Sequence, residues 1–487
     1  MNLRRGLSSV FILIGILAII ILAGGAYLVF HQNNASFPLP IGSEANSAQN
    51  TSPSNDQQSN SQEQVLMNEI GCTDQGSCIA ACMKSALTSA CAQLQNMMSS
   101  GMRAYTQGTP SGPVRSNDVA YVGNNTTANA GALPSCPSNN ALFSNSPMSA
   151  ADLSGIEPMG HLNGEHILPD QADHVYLDGS SSGATPVYAP GNVTLLAVAE
   201  SVGTSGADAG TNNVKLYFSP CKSLMFAFQI NTLSPRLVQA LSTLTPASID
   251  QGATVKNTVY GPLSIPLTSG EELGTVLPYQ GQPGGADFAV ADVRTTSLSF
   301  IDQGEATGML ADSYLHTVCP LDYFTSTVRS DLSAALTVQN AGANGIPACG
   351  STMQDKSGTA QGNWYHKGDT ASYQGIVESS LLGLVHSNLD PAKGVVSAGT
   401  DLIPSPYLGS QLIFTPQGSG YINRDPSQIT ADGNIYCFEG AVGAGGHGNE
   451  GHVDVRMDSA AKLEADYAAG MCAQSPTFSS NTVVYER

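Results

Sequence analysis

Short runs of β-branched and aromatic residues, each cut off by Gly, Ser, Asn or Pro, constrain this chain more than any other feature. Val193-Thr-Leu-Leu-Ala-Val-Ala, Val214-Lys-Leu-Tyr-Phe, Leu224-Met-Phe-Ala-Phe and Phe288-Ala-Val-Ala-Asp are too short for helices and carry strand punctuation. The same holds for Leu381-Leu-Gly-Leu-Val, Gln411-Leu-Ile-Phe, Asn434-Ile-Tyr-Cys-Phe and His452-Val-Asp-Val-Arg. Between the two groups, Tyr323 to Leu336 reads as a helix. The pattern predicts a mainly β protein of sandwich or barrel type. One β domain is expected over 151–300, a helical connector over 301–345 and a second, C-terminal β domain over 346–487. No internal repeat is visible.

The N-terminal part is different in kind. Val10 to Phe30 is an uncharged apolar run of about 21 residues, enough to cross roughly 30 Å of hydrocarbon as a helix. Arg4 and Arg5 precede it and no basic cluster follows, so the positive-inside bias leaves a short cytoplasmic tip and places the bulk of the chain outside. Residues 1–30 are therefore expected to form the tip and a single-pass transmembrane anchor in the cell membrane, with a cleaved signal peptide as the rival reading. Residues 31–64 have almost no apolar content and read as a disordered stalk. Residues 65–106 read as a Cys-rich helical segment holding Cys72, Cys78, Cys82 and Cys91, in which apolar residues from Ile79 to about Met102 fall at helical spacing. Cys82 and Cys91 would stand about 13 Å apart along one helix, too far to join each other. A disulfide-stapled helical hairpin is the expectation, with a four-cysteine zinc knot as the alternative. A polar linker is expected over 107–150.

Charged residues make up only 11% of the chain and the formal net charge is −20. A nucleic-acid partner, which needs a basic stripe, is excluded on that ground. The ten cysteines are an even number, which in an extracytoplasmic chain favours disulfides. Cys437 and Cys472 are candidates to bridge each other or Cys349, and Cys221 and Cys319 to bracket the middle domain.

The chemistry-bearing residues concentrate between 161 and 178. His174-Val-Tyr-Leu-Asp178 offers two ligands of a zinc site, with a third ligand and a reactive water to come from elsewhere; the bland reading pairs His174 and Asp178 with each other or with backbone. His166-Ile-Leu-Pro-Asp170 fits the same H-x-x-x-D spacing. His161, His166 and His174 lie close in sequence, but no i, i+4 spacing or shared strand orders them. They are expected on a loop packed over a cleft, bonded to backbone, with a role in recognition.

The order His174-x-x-x-Asp178, then Thr185-Pro-Val-Tyr-Ala-Pro-Gly191, then a strand resembles the lysostaphin/LytM-type zinc endopeptidases that cut peptidoglycan cross-bridges. Their pattern is H-x-x-x-D, G-T-P-V-x-A and G-x-V. The resemblance continues through Phe226-Ala-Phe-Gln229-Ile-Asn-Thr-Leu233 and Gly270-Glu-Glu-Leu-Gly274 to Ala286-Asp-Phe288, and covers about residues 155 to 300. It implies a LytM-like β-sandwich. In that family the last strand carries H-x-H, one histidine on zinc and one assisting the water. Here those positions read Ala286 and Phe288, and a further active-site histidine falls at Gln229. The resemblance thus implies the fold and denies the chemistry, as in LytM-type factors that regulate cell-wall amidases.

In the C-terminal part, the block from Cys349-Gly-Ser-Thr-Met-Gln-Asp355 to Leu384-Val-His386-Ser-Asn388 resembles strings in secreted bacterial proteins with a degenerate LytM-like half, which implies one two-domain unit. Trp364, with Gln361 and Asn363 beside it, is a candidate platform for a sugar ring; core burial is the bland alternative. His447, Glu450, His452 and Asp454 could chelate, although the surrounding glycines make that stretch a hairpin loop first. Together these features give an envelope protein with a catalytically inactive LytM-like domain and no catalytic residue. Its binding groove is expected to be lined by His161, His166, His174, Asp178, Gln229 and Asp287, with His174 and Asp178 as a vestigial metal pair and no required cofactor. Expected partners are cell-wall glycan or peptide, or an envelope protein. The alternatives are a zinc endopeptidase using His174, Asp178 and a replacement ligand, and a surface adhesin or assembly subunit.

Overall fold

Along the strand Gly285–Asp292, Ala286, Phe288 and Val290 are buried in one core while Asp287 and Ala289 stand on the opposite face, the two-residue period of a pleated strand. A computed structural model describes residues 133–487 apart from 163–165, 182, 205–211, 252–254, 279–282, 303–314, 368–377, 405–408 and 443–450. The anchor, the stalk, the Cys-rich segment, the linker up to 132, and His447 and Glu450 lie outside the described residues. Among the described residues the protein is mainly β, with two α-helices, and no helix is long and apolar enough to cross a membrane.

The first half contains β1 (Gly155–Glu157), β2 (His174–Asp178), β3 (Thr185–Tyr188), β4 (Val193–Gly203), β5 (Asn212–Ser219), β6 (Leu224–Ile230) and β7 (Thr232–Leu233). After helix α1 (Pro235–Ser242) come β8 (Ser248–Gln251), β9 (Val255–Tyr260), β10 (Ile265–Leu267), β11 (Glu272–Val276) and β12 (Gly285–Asp292). An antiparallel sheet runs β1-β2-β12-β6-β5-β4-β9-β8, with β10 also on β4, and a small sheet runs β3-β11-β7. Val187 of β3 and Leu273 and Val276 of β11 share a core with Leu216, Phe218, Phe226, Phe228 and Phe288 of the large sheet, so the two sheets form two layers over one interior. The Phe228 and Phe288 rings stack with centroids 4.4 Å apart.

The segment expected as a polar linker contributes to this core from Cys136 onward. Phe143 and Met148 are buried in it, and Cys136 is bonded to Cys221. The connector holds the 3-10 turn Pro320–Tyr323 and helix α2 (Ser326–Ala334), whose Leu321, Tyr323 and Leu332 enter the same core. Cys319 bonds Cys349. Cys437 bonds Cys472, one of the pairings the sequence left open.

The second half is one sheet of β13 (Gly362–His366), β14 (Leu381–His386), β15 (Gly394–Gly399), β16 (Gly409–Phe414), β17 (Tyr436–Glu439), β18 (Ala441–Val442), β19 (Gly451–Ser459), β20 (Lys462–Ala469) and β21 (Val483–Glu486). Its order is β17-β19-β20-β21-β13-β14-β15-β16-β18. The first and last strands of that order are consecutive in the chain, separated only by Gly440. The stretch 436–442 therefore pairs with β19 on one side and with β16 on the other, and the sheet curls into a near-closed barrel. Gly440 permits this junction, since a Cβ there would collide with the carbonyl oxygen of Ile413. Trp364, Leu382, Leu384, Val396, Leu412, Phe438, Val453, Leu463 and Tyr485 fill the interior.

The barrel's outer wall carries the loop between β1 and β2. Ile167 and Leu168 pack on Tyr365 and Leu381, and Leu162 packs on Val385 and Val395. The Asn388 side chain donates to the carbonyl oxygen of Gly160 at 2.7 Å, and Asn363 donates to Asp170 at 2.9 Å. Asp170, the carboxylate of the second H-x-x-x-D match, is thus a buried tie between the halves.

Candidate functional site

Residues directly opposite each other in an antiparallel ladder share a face, so the ladder register defines one working face. Ala289 of β12 faces His174 of β2, and Asp287 faces both Tyr176 of β2 and Gln229 of β6. Glu157 of β1 faces Tyr176, and Lys215 of β5 faces Gln229. His174, Tyr176, Asp178, Asp287, Gln229, Glu157 and Lys215 therefore stand on one side of the large sheet. Ala286 and Phe288 stand on the other side, in the core. The expected groove residues His174, Asp178, Gln229 and Asp287 do share a surface, but the two positions aligned with the family's H-x-H do not.

His174 and Asp178 are not a metal pair. Both lie on β2, and four residues of strand separate them by about 13 Å at roughly 3.3 Å per residue. Side chains standing perpendicular to a sheet do not converge over that span. Asp178 sits opposite Gly285 and Gly155, and burial pushes its carboxyl up to about 6.

His174 instead meets the other two histidines. The loop pinned to the barrel brings His161 and His166 over the start of β2, with ring centroids 5.4 Å from His161 to His174, 5.5 Å from His166 to His174 and 5.5 Å between His161 and His166, all edge to face. One nitrogen from each ring lies within 4.8 Å of the others. Neither i, i+4 spacing nor a shared strand orders these histidines. Tertiary packing of Leu162, Ile167 and Leu168 does what local spacing does not.

The tautomers follow from the partners. Nδ1 of His161 is 2.9 Å from the carbonyl oxygen of Pro158; a carbonyl only accepts, so Nδ1 carries the proton and Nε2 keeps its lone pair. That Nε2 is buried without a hydrogen-bond partner, 3.7 Å from Glu157 Oε2. His174 presents Nδ1 to Asp173 Oδ1 at 3.3 Å and Nε2 to Asp287 Oδ1 at 3.5 Å. Burial, and secondarily the charge of His174, hold His161 down at about 3. The same causes hold His166 well below the ordinary imidazole range. Burial also lowers His174, but Asp287 and the hydrogen bond to Asp173 outweigh it and raise its pKa. Burial and then the charge of Asp178 raise Glu157. The cluster thus combines two imidazoles held low, one imidazole that its carboxylate neighbours raise, and flanking carboxylates that are only partly covered, with side-chain exposures of 29% for Glu157 and 19% for Asp287.

Among the described residues, the remaining candidates do not form sites. Trp364 is fully buried; its indole N–H donates to the Ala360 carbonyl at 2.8 Å, and the Arg487 guanidinium lies 3.9 Å from the ring centroid. It has no face to offer a sugar. Gln361 and Asn363 are spent on Gln354 and Asp170. Cys437, His452 and Asp454 gather within 4.8 Å, but the Cys437 sulfur is in a disulfide and supplies no thiolate, which leaves two ligands among the described residues. Comparison with protein-family models, curated proteins and solved structures finds no match to this chain.

Proposed function

We propose that this chain is a membrane-anchored, extracytoplasmic cell-envelope protein whose first β domain acts as a binding or regulatory module and not as a LytM-type endopeptidase. One observation carries the reading. Phe288, aligned with a catalytic histidine, is fully buried and stacked on Phe228, while the polar side chains of β1, β2, β12, β6 and β5 collect on the opposite face. A histidine base and a family-type zinc ligand are both missing from that face at the aligned positions. The mixture of Lys215, Asp287, Gln229, Tyr176 and Glu157 suits a polar ligand with amide and hydroxyl groups, such as wall peptide or glycan, or an envelope protein segment. The test is co-sedimentation of the full-length protein with purified peptidoglycan, comparing wild type with Gln229→Ala and Asp287→Ala. Binding lost in both variants supports the groove. Soluble peptides released from the wall would overturn the non-enzymatic reading.

A further inference from the structure

We propose that His161, His166 and His174 form a zinc-type divalent metal centre, a donor set distinct from the H-x-x-x-D plus H-x-H arrangement of the endopeptidases. The inference goes beyond the envelope-binding reading and does not depend on which ligand the groove holds.

Three observations converge on it. The nitrogens of three rings on two chain segments lie within 4.8 Å of one another. Bonds of about 2.0–2.1 Å to zinc place ligand nitrogens about 3.3 Å apart, so small side-chain rotations close the set. His161 Nε2 is buried with a free lone pair and no hydrogen-bond partner. Such an orphan is costly in a folded interior unless something occupies the space before it. Finally, two rings carry the outer contacts typical of metal ligands: His161 Nδ1 donates to the Pro158 carbonyl, and His174 Nδ1 faces Asp173. Those contacts fix the tautomer that leaves Nε2 for the ion.

Imidazole donors favour Zn2+ among the common divalent ions, with Co2+ and Ni2+ as substitutes, and disfavour Mg2+ and Ca2+. Asp287 Oδ1 is 3.5 Å from His174 Nε2 and Glu157 Oε2 is 3.7 Å from His161 Nε2, close to the edge length of a zinc tetrahedron. These carboxylates flank the fourth position and offset the charge of the ion. Asp178 belongs to a different part of the face and takes no part.

The experiment is metal analysis of the full-length chain, purified in detergent without chelator, incubated with Zn2+, dialysed and measured by inductively coupled plasma mass spectrometry. A parallel sample is loaded with Co2+ for its visible spectrum. The expected result is close to one zinc per chain and a tetrahedral cobalt spectrum without thiolate charge-transfer bands. The affinity should fall at least about 100-fold in His161→Ala and in His166→Ala and hold in Asp178→Ala. Circular dichroism checks the fold. If His161→Ala does not fold, His166→Asn at the partly exposed ligand and the wild-type cobalt spectrum decide. No zinc retained by wild type, zinc retained equally by a folded His161→Ala/His166→Ala double variant, or a thiolate spectrum from the N-terminal cysteines would each overturn the centre. Wall binding measured on the same samples separates the two proposals, because loss of wall binding with zinc retained counts only against the binding module.

Discussion

Phe288 and His174 occupy neighbouring strands of one sheet and point to opposite sides of it. Phe288 is opposite Val175, and His174 is opposite Ala289. This one-residue offset separates the chain's chemistry from Ala286 and Phe288, the positions that the LytM resemblance would match to that family's last two histidines. A slip of one residue in a strand exchanges every side chain between faces, so restoring histidines by alignment would place them in the core.

Accordingly, Ala286→His/Phe288→His is expected to release no soluble peptide from peptidoglycan and to lose at least about 3 kcal/mol of stability, from the vacated aromatic volume and the buried imidazoles. Urea unfolding and a peptide-release assay measure both. Endopeptidase activity in a folded double variant would show that the register argument fails.

Trp364 is the only tryptophan, which makes its surroundings directly readable. Its emission should be blue-shifted, resist iodide quenching and stay unchanged on adding wall oligosaccharides. Trp364→Ala should cost about 3–5 kcal/mol, through lost packing in the barrel and the unpaired Ala360 carbonyl. A sugar-dependent shift in emission would reinstate the stacking platform.

The histidine loop depends on the barrel. Asn388→Ala removes donors to the Gly160 and Ser351 carbonyls and should cost about 1–3 kcal/mol. Gly160 has φ of 69° and sits directly under the Asn388 side chain, so no bulkier residue can replace it to restore the contact. Hydrogen exchange should speed up at 159–172 more than in the barrel strands. Uniform exchange across both halves would mean that the loop is held by its own contacts.

Asp454 gives a pH-dependent test outside the cluster of His161, His166 and His174. Burial raises its carboxyl to about 6, Asp466 across the ladder adds to this, and His452 opposes it. A folded pKa above the unfolded value means that the contribution is intact below about pH 4 and is lost as pH rises through about 6. Asp454→Asn should therefore exceed wild type in stability by about 1–2 kcal/mol at pH 7.5 and match it at pH 4. Equal stability at both values would show that Asp454 is not strained by its burial.

The sequence made legible those strands whose residues are β-branched or aromatic, as in β4, β5, β6, β12, β14 and β16. It did not make β13, β15 or β20 legible. Gly394-Val-Val-Ser-Ala-Gly399 and Lys462-Leu-Glu-Ala-Asp-Tyr-Ala-Ala469 are rich in Gly, Ala and charge, and their strand form comes from the ladders on either side. Helix α1 was missed although Ser234-Pro235 marks its start, with Ser234 accepting from the Leu237 N–H. At the site, the sequence identified every histidine but not their meeting. That meeting rests on Asn388, 228 residues beyond Gly160, and on the outward-facing apolar residues of β14 and β15, contacts that no local spacing encodes.

The closure of the barrel through Gly440 has a consequence for how the molecule meets other chains. A strand whose amide groups are paired on both sides offers nothing for a foreign strand to add to, and the barrel has few such openings left. In the first sheet, β1 is covered by backbone hydrogen bonds to 335–337, which leaves β8 as the exposed rim, with Ile249 at 53% exposure. Within that sheet the edge open to strand addition is thus β8, at the opposite end of the strand order from the β2 that carries His174. Among the described residues, the barrel that braces the site is also the part with the fewest open strand edges.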